Sequence, residues 1–182
     1  GTLLMNLVEL IGEIRIQLEA THAARESALK LSRELIQISS RAIRAMHRHE
    51  FDSAVDNLAN AGQVSEKLRS FYQTSPEIYY AGYVHDSQKE FVEATAVFAI
   101  VTNSHLPAFG DLQVEPAAYL NGLAEAGSEC RRFVLDLMRA GKLDEAESVM
   151  ARMDAIYSEL ITVDFPDAIT GGLRRTTDAF RA

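Results

Sequence analysis

Four glutamates occur as two pairs whose spacing puts each pair on one face of a helix. Glu90 and Glu93 are three residues apart, and Glu125 and Glu129 are four residues apart, so the members of each pair are neighbours on a helix surface. The first face continues as an apolar row to Val101, and the second carries small residues that permit close approach of another helix. Carboxylates on such core-facing surfaces are costly unless cations or a metal accompany them.

An oxygen-rich interior site is the functional interpretation of these pairs. Two helices that each offer two carboxylates to a common interior provide the ligands that Mg²⁺ or Mn²⁺ prefer. All four glutamates are therefore candidate metal-binding and catalytic residues. The alternative is that nearby cations, Lys89, Arg131 or Arg132, neutralise Glu93 and Glu129, or that these two face water between subunits. Spacing alone leaves both interpretations open.

Other catalytic signatures are missing from the sequence. A di-iron bundle needs Glu-x-x-His on two helices, and the chain has one such string, from Glu19 to His22. There is no Gly-x-Ser-x-Gly, no Walker loop, no Gly-x-Gly-x-x-Gly before a helix and no His-Glu-x-x-His. Cys130 lies beside Arg131 and Arg132, but a buried helical cysteine is expected to be inert.

Basic residues follow one face of the first long helix. They recur at steps of three and four with Gln37 among them, and the cations of this row, the basic stripe, are Lys30, Arg33, Arg41, Arg44 and Arg48. The row lies opposite a wide apolar arc that runs from Leu29 to Met46. One interpretation is a solvated face, and the other is a surface that tracks nucleic-acid phosphates. Further along the chain, His85 lies one turn before Lys89, where it either contacts substrate or lies on the surface.

The elements that must position these residues are helices. Apolar residues recur at three and four along nearly the whole chain, and no stretch shows the sustained alternation of a strand. Prolines and glycines predict the breaks between helices, and Gly171-Gly172 should weaken the last helix. The predicted helices cover 3–49 (with a potential break near Thr21), 51–74, 77–104, 115–140, 143–163 and 167–181. We therefore predict an all-α fold, a single-domain antiparallel bundle of about six to seven helices over residues 1–182.

Composition narrows the class of protein. The chain has 182 residues, 47% hydrophobic and 24% charged, and a formal net charge of −8, which fits one globular domain and argues against disorder. Residues 22–49 hold six basic and two acidic residues, whereas 50–182 hold eleven basic and twenty-one acidic. The acidic total argues against a nucleic-acid partner, and the basic segment argues for one. No apolar run reaches the ~18 residues of a membrane span.

The expected compartment is the cytoplasm. One cysteine cannot form an intramolecular disulfide, which favours a reducing compartment. The first residues also lack the basic region of a signal peptide.

Three short strings occur in order along the chain. The first is Ala24-Arg25-Glu26 followed by Leu29-Lys30-Leu31-Ser32-Arg33-Glu34 and Arg41. The second is Lys89-Glu90-Phe91-Val92-Glu93-Ala94, and the third is Tyr119-Leu120-Asn121-Gly122-Leu123-Ala124-Glu125-Ala126-Gly127-Ser128-Glu129. Together they resemble the translin superfamily, and its translin-associated factor X branch more than translin itself. The resemblance extends from residue 22 to the end.

The resemblance implies a function as well as a fold. It implies an all-α protein that forms closed, roughly octameric shells, and a metal-dependent endoribonuclease that uses Mg²⁺ or Mn²⁺ to cleave single-stranded RNA. The family's interior catalytic acids correspond to Glu90, Glu93, Glu125 and Glu129, although the third is usually Asp in this branch. The basic stripe, with His85 and Lys89, would bind RNA or single-stranded DNA. The short chain without long inserts resembles prokaryotic or archaeal homo-oligomeric members.

Two other functions stay open at this point. One is a non-catalytic binder of single-stranded nucleic acid with the same shell, and the other is a structural helical protein whose acids and stripe are merely solvated. The acidic set favours an enzyme because the non-catalytic branch lacks it. The helix 94–101 is apolar on every side, and the first helix has two apolar arcs, one at Leu29, Ile36 and Ile43 and one at Leu31, Leu35 and Ile38. Because only one of these arcs can pack inside the subunit, the other is left over, which predicts a homo-oligomer larger than a dimer. Its enclosed space would spare stable duplexes.

Overall fold

The computed structural model describes all 182 residues and contains ten helices and no strand. The bounds are α1 (Thr2–His47), α2 (Phe51–Arg69), α3 (Phe71–Thr74), α4 (Pro76–Tyr79), α5 (Gly82–Thr102), α6 (Phe109–Leu112), α7 (Pro116–Arg139), α8 (Leu143–Leu160), α9 (Asp167–Thr170) and α10 (Leu173–Arg181). The predicted all-α fold is confirmed. Helix α1 is continuous through Thr21.

Short segments replace parts of the longer helices that the sequence predicts. The predicted helix 51–74 divides at Ser70, and the loop 106–111 includes the single turn α6. The predicted helix 167–181 divides where Gly171 and Gly172 adopt positive φ angles of 62° and 80°. These two glycines therefore end one helix and begin another.

The break between α4 and α5 carries the clearest departure from the predicted bounds. Pro76 begins α4 at its first position, as its fixed φ favours, but the helix stops after one turn. Ala81 is extended, with φ −65° and ψ 150°, and α5 restarts at Gly82. The interruption turns Tyr80 outwards, so that 59% of its surface is exposed.

Helix α5 lies at the centre of the core. It contacts α1, α2, α7 and α8, and every residue from Phe91 to Val97 is buried. From the sequence, the apolar segment 94–101 is expected to be hard to cover with the helices of one small subunit. The structure corrects this, because the chain's own helices bury it apart from partial exposure of Phe98 and Val101. An uncovered apolar surface is found instead on α1.

The first half of α1, residues 2–23, lies outside this core and is called the arm. Every arm residue except Gly12 is exposed. Ten large apolar side chains lie open there: Leu3, Leu4, Met5, Leu7, Val8, Leu10, Ile11, Ile14, Ile16 and Leu18. By comparison, in the first of the two apolar arcs Ile36 is 37% exposed and Leu29 and Ile43 are half-buried, whereas Leu35 and Ile38 of the second arc are buried. None of the helices is sufficiently long and apolar to cross a lipid bilayer.

Candidate metal centre

The carboxylates come together where α5 and α7 approach most closely. A Cβ added at Gly122 would lie 2.6 Å from Val92 Cβ and 2.8 Å from the Lys89 carbonyl oxygen. A larger residue would separate the helices, since real Cβ atoms do not approach so near. The small residue in the third string thus sets the distance between the two acidic helices.

Three of the four predicted glutamates form one group, called the acidic cluster. One carboxyl oxygen each from Glu90, Glu93 and Glu125 lies within 4.8 Å of the others. Glu93 is buried, and the other two are half-buried. Two helices therefore supply an all-oxygen donor set to a single point.

Burial and mutual repulsion shift the pKa values of this cluster. Burial is the main cause that raises the pKa of Glu93 to about 9, and the charges of Glu90 and Glu125 add to it. Burial also raises the pKa of Glu90, while a hydrogen bond from Glu93 acts to lower it. Glu93 thus holds a proton at neutral pH, and its O–H donates a hydrogen bond to the Glu90 carboxylate.

Lys89 is the cation that contacts the cluster. Its Nζ lies 3.2 Å from Glu125 Oε1. Burial is the largest single effect and acts to lower the Lys89 pKa, but the carboxylates of Glu125, Asp86 and Glu90 together outweigh it, and the pKa is raised. The ion pair compensates one of the three carboxylates and leaves Glu90 and Glu93 without a cation partner.

Glu129, the fourth predicted acid, borders the cluster and has a partner of its own. Its Oε1 lies 2.7 Å from His47 Nε2, and the His47 ring stacks on Phe133 at a centroid distance of 4.2 Å. The His47 side chain is 8% exposed, and its Nδ1 is buried without a hydrogen-bond partner. The suggested pairing with Arg131 does not form, because that side chain donates to the carbonyl oxygens of Ala179 and Phe180.

His47 was not among the site residues predicted from the sequence. It lies 82 residues from Glu129 in the chain and directly beside Arg48, so it merges with the basic stripe in the one-dimensional pattern. His47 differs from the stripe residues in its angle around the helix axis. It falls at the edge of the basic stripe, towards the buried face of α1. A histidine among arginines at that edge is the clue available from sequence.

The basic stripe lies apart from the acidic cluster. All five of its cations are exposed along α1, on the side away from the buried residues of that helix. Arg44 donates to Ser40 Oγ at 2.7 Å, and Arg48 pairs with Glu50 at 3.3 Å. Within one chain the structure thus brings Lys89 to the carboxylates but none of the stripe.

His85 and Cys130 occupy contrasting surroundings. His85 is half-buried in a cleft that it shares with Lys89, and burial is the main cause that lowers its pKa. Cys130 is fully buried, and burial raises the pKa of its thiol to about 12. The neighbouring arginines do not activate it, so Cys130 is a core residue.

Comparison with known proteins places this geometry in a family. No family model matches the chain. An uncharacterised protein of Methanocaldococcus jannaschii is 31% identical over 160 residues, which are 87% of this chain and 71% of that protein. A solved AfC3PO–duplex RNA complex is 36% identical, with a TM-score of 0.87 over 94% of this chain and 88% of that chain. The chain belongs to the translin superfamily, as an archaeal-type member.

A second structure of AfC3PO and one of apo-NeC3PO extend the comparison. AfC3PO alone gives a TM-score of 0.85 at 36% identity, over 94% of this chain and 89% of that one. Apo-NeC3PO gives 0.84 with the same coverages at 18% identity, which shows the shared fold alone. The translin-superfamily membership that three short strings predicted is thus confirmed, and the assignment to the translin-associated factor X branch stays a prediction.

Proposed function

We propose that this translin-superfamily chain is a metal-dependent endoribonuclease that cleaves single-stranded RNA inside a closed homo-oligomer. The observation that carries the proposal is the acidic cluster, in which three carboxyl oxygens from two helices lie within 4.8 Å. Three carboxyl groups so close together repel one another when all are ionised. This is the arrangement expected of a site that completes itself with a divalent ion.

The donor set fits Mg²⁺ or Mn²⁺. Glu90, Glu93 and Glu125 offer only oxygen, which hard divalent ions prefer. The cluster has one ion pair, from Lys89 to Glu125, and burial together with the charges of Glu90 and Glu125 holds a proton on Glu93. When bound, Mg²⁺ activates water and stabilises the charge that develops on the scissile phosphate.

The surrounding residues would orient the reactants. Lys89 fixes Glu125, whose side chain is one methylene longer than the Asp usual in the resembled branch. His47 holds one oxygen of Glu129, and the second oxygen of Glu129 has no partner within the chain. That free oxygen, beside the acidic cluster, is placed to accept a hydrogen bond from a water molecule and so to orient it.

RNA is the proposed substrate because a close relative has been solved with it. AfC3PO forms a complex with duplex RNA, so exclusion of duplexes from the interior is not part of the proposal. The preference for single strands concerns cleavage, since a flexible strand can bend a phosphate against the carboxylates whereas an A-form duplex holds its backbone rigid. The basic stripe would supply sequence-independent phosphate contacts, with single-stranded DNA as a weaker ligand.

The exposed apolar surface of the arm is the basis for proposing a closed shell. Ten exposed large apolar residues on one helix exceed what a monomer presents to water. Closed symmetric assembly is the usual outcome of such a surface, and the resemblance makes an octamer the expected size. The acidic cluster would then face an enclosed space.

A non-catalytic nucleic-acid binder is the second candidate function. The Lys89–Glu125 ion pair favours it, because the pair satisfies one carboxylate without a metal. In that case the protein would retain RNA and leave it intact with or without divalent ions.

One experiment separates the two functions. Labelled single-stranded RNA is incubated with the full chain in Mg²⁺ and in EDTA, beside Glu93→Gln and the control Glu147→Gln, which alters an exposed glutamate of α8. The proposal expects cleavage in Mg²⁺ by the unmodified chain and the control, and none in EDTA or with Glu93→Gln. RNA that stays intact in every reaction but is still bound by the protein would favour the non-catalytic binder.

A further inference from the structure

A cleft runs from Tyr80 to Lys89, the residue that contacts the acidic cluster. Two adjoining hollows of about 380 and 340 Å³ are both lined by Tyr80, His85, Ala117 and Ile169. The larger one also reaches Lys89, whose Nζ contacts Glu125. His85 and Lys89 are one turn apart on α5, so the cleft passes directly along the helix that carries Glu90 and Glu93. We call these joined hollows the tyrosine cleft.

The Tyr80 ring is held in place while much of it stays exposed. It packs edge-to-face against Tyr79 at a centroid distance of 5.1 Å and against Tyr72 at 6.2 Å. Tyr79 is itself fixed, since its hydroxyl lies 2.9 Å from a Glu115 oxygen and accepts hydrogen bonds from Arg69 and Gln88. A rigid aromatic ring with 59% of its surface open loses little entropy when another ring stacks on it.

The chemistry of the cleft matches a nucleobase. Proteins that bind single strands combine cations that hold the backbone with exposed aromatic rings on which bases stack. Ile169, 63% exposed, adds an apolar wall. The His85 ring has no hydrogen-bond partner within the chain, so its nitrogens are free to meet the polar edge of a base.

We propose that the tyrosine cleft is a nucleobase subsite, in which Tyr80 stacks on a base of the RNA strand whose backbone lies at the acidic cluster. This inference rests on the proposed function, because it needs RNA at that cluster. The inference adds to that function the residue, Tyr80, that sets the register of the bound RNA strand. A base held at Tyr80 fixes which phosphodiester lies against the carboxylates, with Lys89 between the two.

The test measures binding without cleavage. Short single-stranded RNAs carrying 2-aminopurine at successive positions are titrated with the full chain in EDTA, and fluorescence quenching reports stacking. We expect one position to be quenched by the unmodified chain and by Tyr80→Phe. Tyr80→Ala and Tyr80→Leu should abolish that quenching and weaken binding about 5-fold to 100-fold. The control is Phe165→Ala, which removes an aromatic ring of similar exposure, 61%, outside the cleft and should change neither.

The outcomes are distinct. If both Tyr80→Ala and Tyr80→Leu kept full quenching and full affinity, the subsite would be overturned. It would also be overturned if light scattering showed that these variants lose their assembly while their RNA binding is unchanged. RNA binding by the unmodified chain with no quenched position would contradict the subsite alone. No binding of RNA by the unmodified chain would contradict the proposed function and the subsite with it.

Discussion

Glu93 is a carboxyl group that burial and its acidic neighbours keep protonated at neutral pH. Because its pKa is raised from 4.5 to about 9, the folded chain binds more protons than the unfolded chain between these values. Stability of the metal-free protein should therefore fall as pH rises through that window. Mg²⁺ should stabilise the protein more at pH 8 than at pH 5, since the metal competes with the proton.

Glu93→Gln tests this electrostatic account. In EDTA at pH 8 we expect the variant to be more stable to urea than the unmodified chain by about 1 kcal/mol or more, since each pKa unit corresponds to about 1.4 kcal/mol. At pH 5 the difference should shrink, and Mg²⁺ should no longer stabilise the variant. Glu147→Gln should behave like the unmodified chain at both pH values. A pH-independent effect of Glu93→Gln would contradict the raised pKa.

His47 is the residue that connects α1 to the acidic site. His47→Ala removes the group that contacts Glu129 and the ring that stacks on Phe133. We expect a loss of about 1–3 kcal/mol in the free energy of unfolding and a lower rate of RNA cleavage. His47→Gln, which keeps an N–H donor, should recover part of the cleavage rate although it cannot restore the stacking. Equal rates for all three proteins would leave His47 with a purely structural role.

At the scale of elements, the close packing of α5 on α7 sets the distance between the carboxylates. Gly122→Ala would force its Cβ against Val92 and the Lys89 carbonyl oxygen, and overpacking of this kind costs about 1–3 kcal/mol. We also expect weaker Mg²⁺ stabilisation, measured by thermal unfolding across a metal titration. Gly62→Ala is the matched control, because a Cβ there meets nothing within 4 Å and should stabilise α2 by about 1 kcal/mol.

The basic stripe belongs to one helix and can be tested as a unit. Replacing Arg41, Arg44 and Arg48 together by Ala should weaken RNA binding for every sequence. The slope of log affinity against log salt should fall by up to about 2, since each lost phosphate contact on a single strand removes about 0.7. Titrations at several salt concentrations measure this slope. An unchanged slope would mean that the stripe is only a solvated face.

The sequence predicted the long helices and the meeting of α5 and α7 well, because both leave periodic signals. Apolar spacing located the helices, and the i, i+3 and i, i+4 pairs put Glu90, Glu93 and Glu125 on facing surfaces. The break at Tyr80 and Ala81 was not predicted, since neither of these two residues is a proline or a glycine. The His47–Glu129 contact was also missed, because it depends on how α1 docks against α7 and leaves no trace in either helix alone.

At the scale of the whole molecule, the arm decides whether the site is enclosed. Leu4, Leu7, Ile11, Ile14 and Leu18 recur at alternating steps of three and four, the spacing of a helix that packs along a partner. With about 3.6 residues per helical turn, the same row continues along α1 as Leu29, Ile36 and Ile43, which are half-buried or exposed. The arm therefore extends a partly exposed apolar surface past the edge of its own core.

We expect the assembly to dissociate when three apolar residues of the arm are replaced together, by Leu7→Glu, Ile11→Glu and Ile14→Glu. All three side chains are already exposed within one chain, at 47%, 44% and 51%, so the fold of the subunit should survive, as circular dichroism would show. Light scattering should report a large oligomer for the unmodified chain and a smaller species for the variant. The control variant changes three polar residues of the same arm and should leave the oligomer intact; its substitutions are Glu9→Gln, Glu13→Gln and Glu19→Gln. A monomeric unmodified chain would contradict the shell, and the carboxylates would then face open solvent.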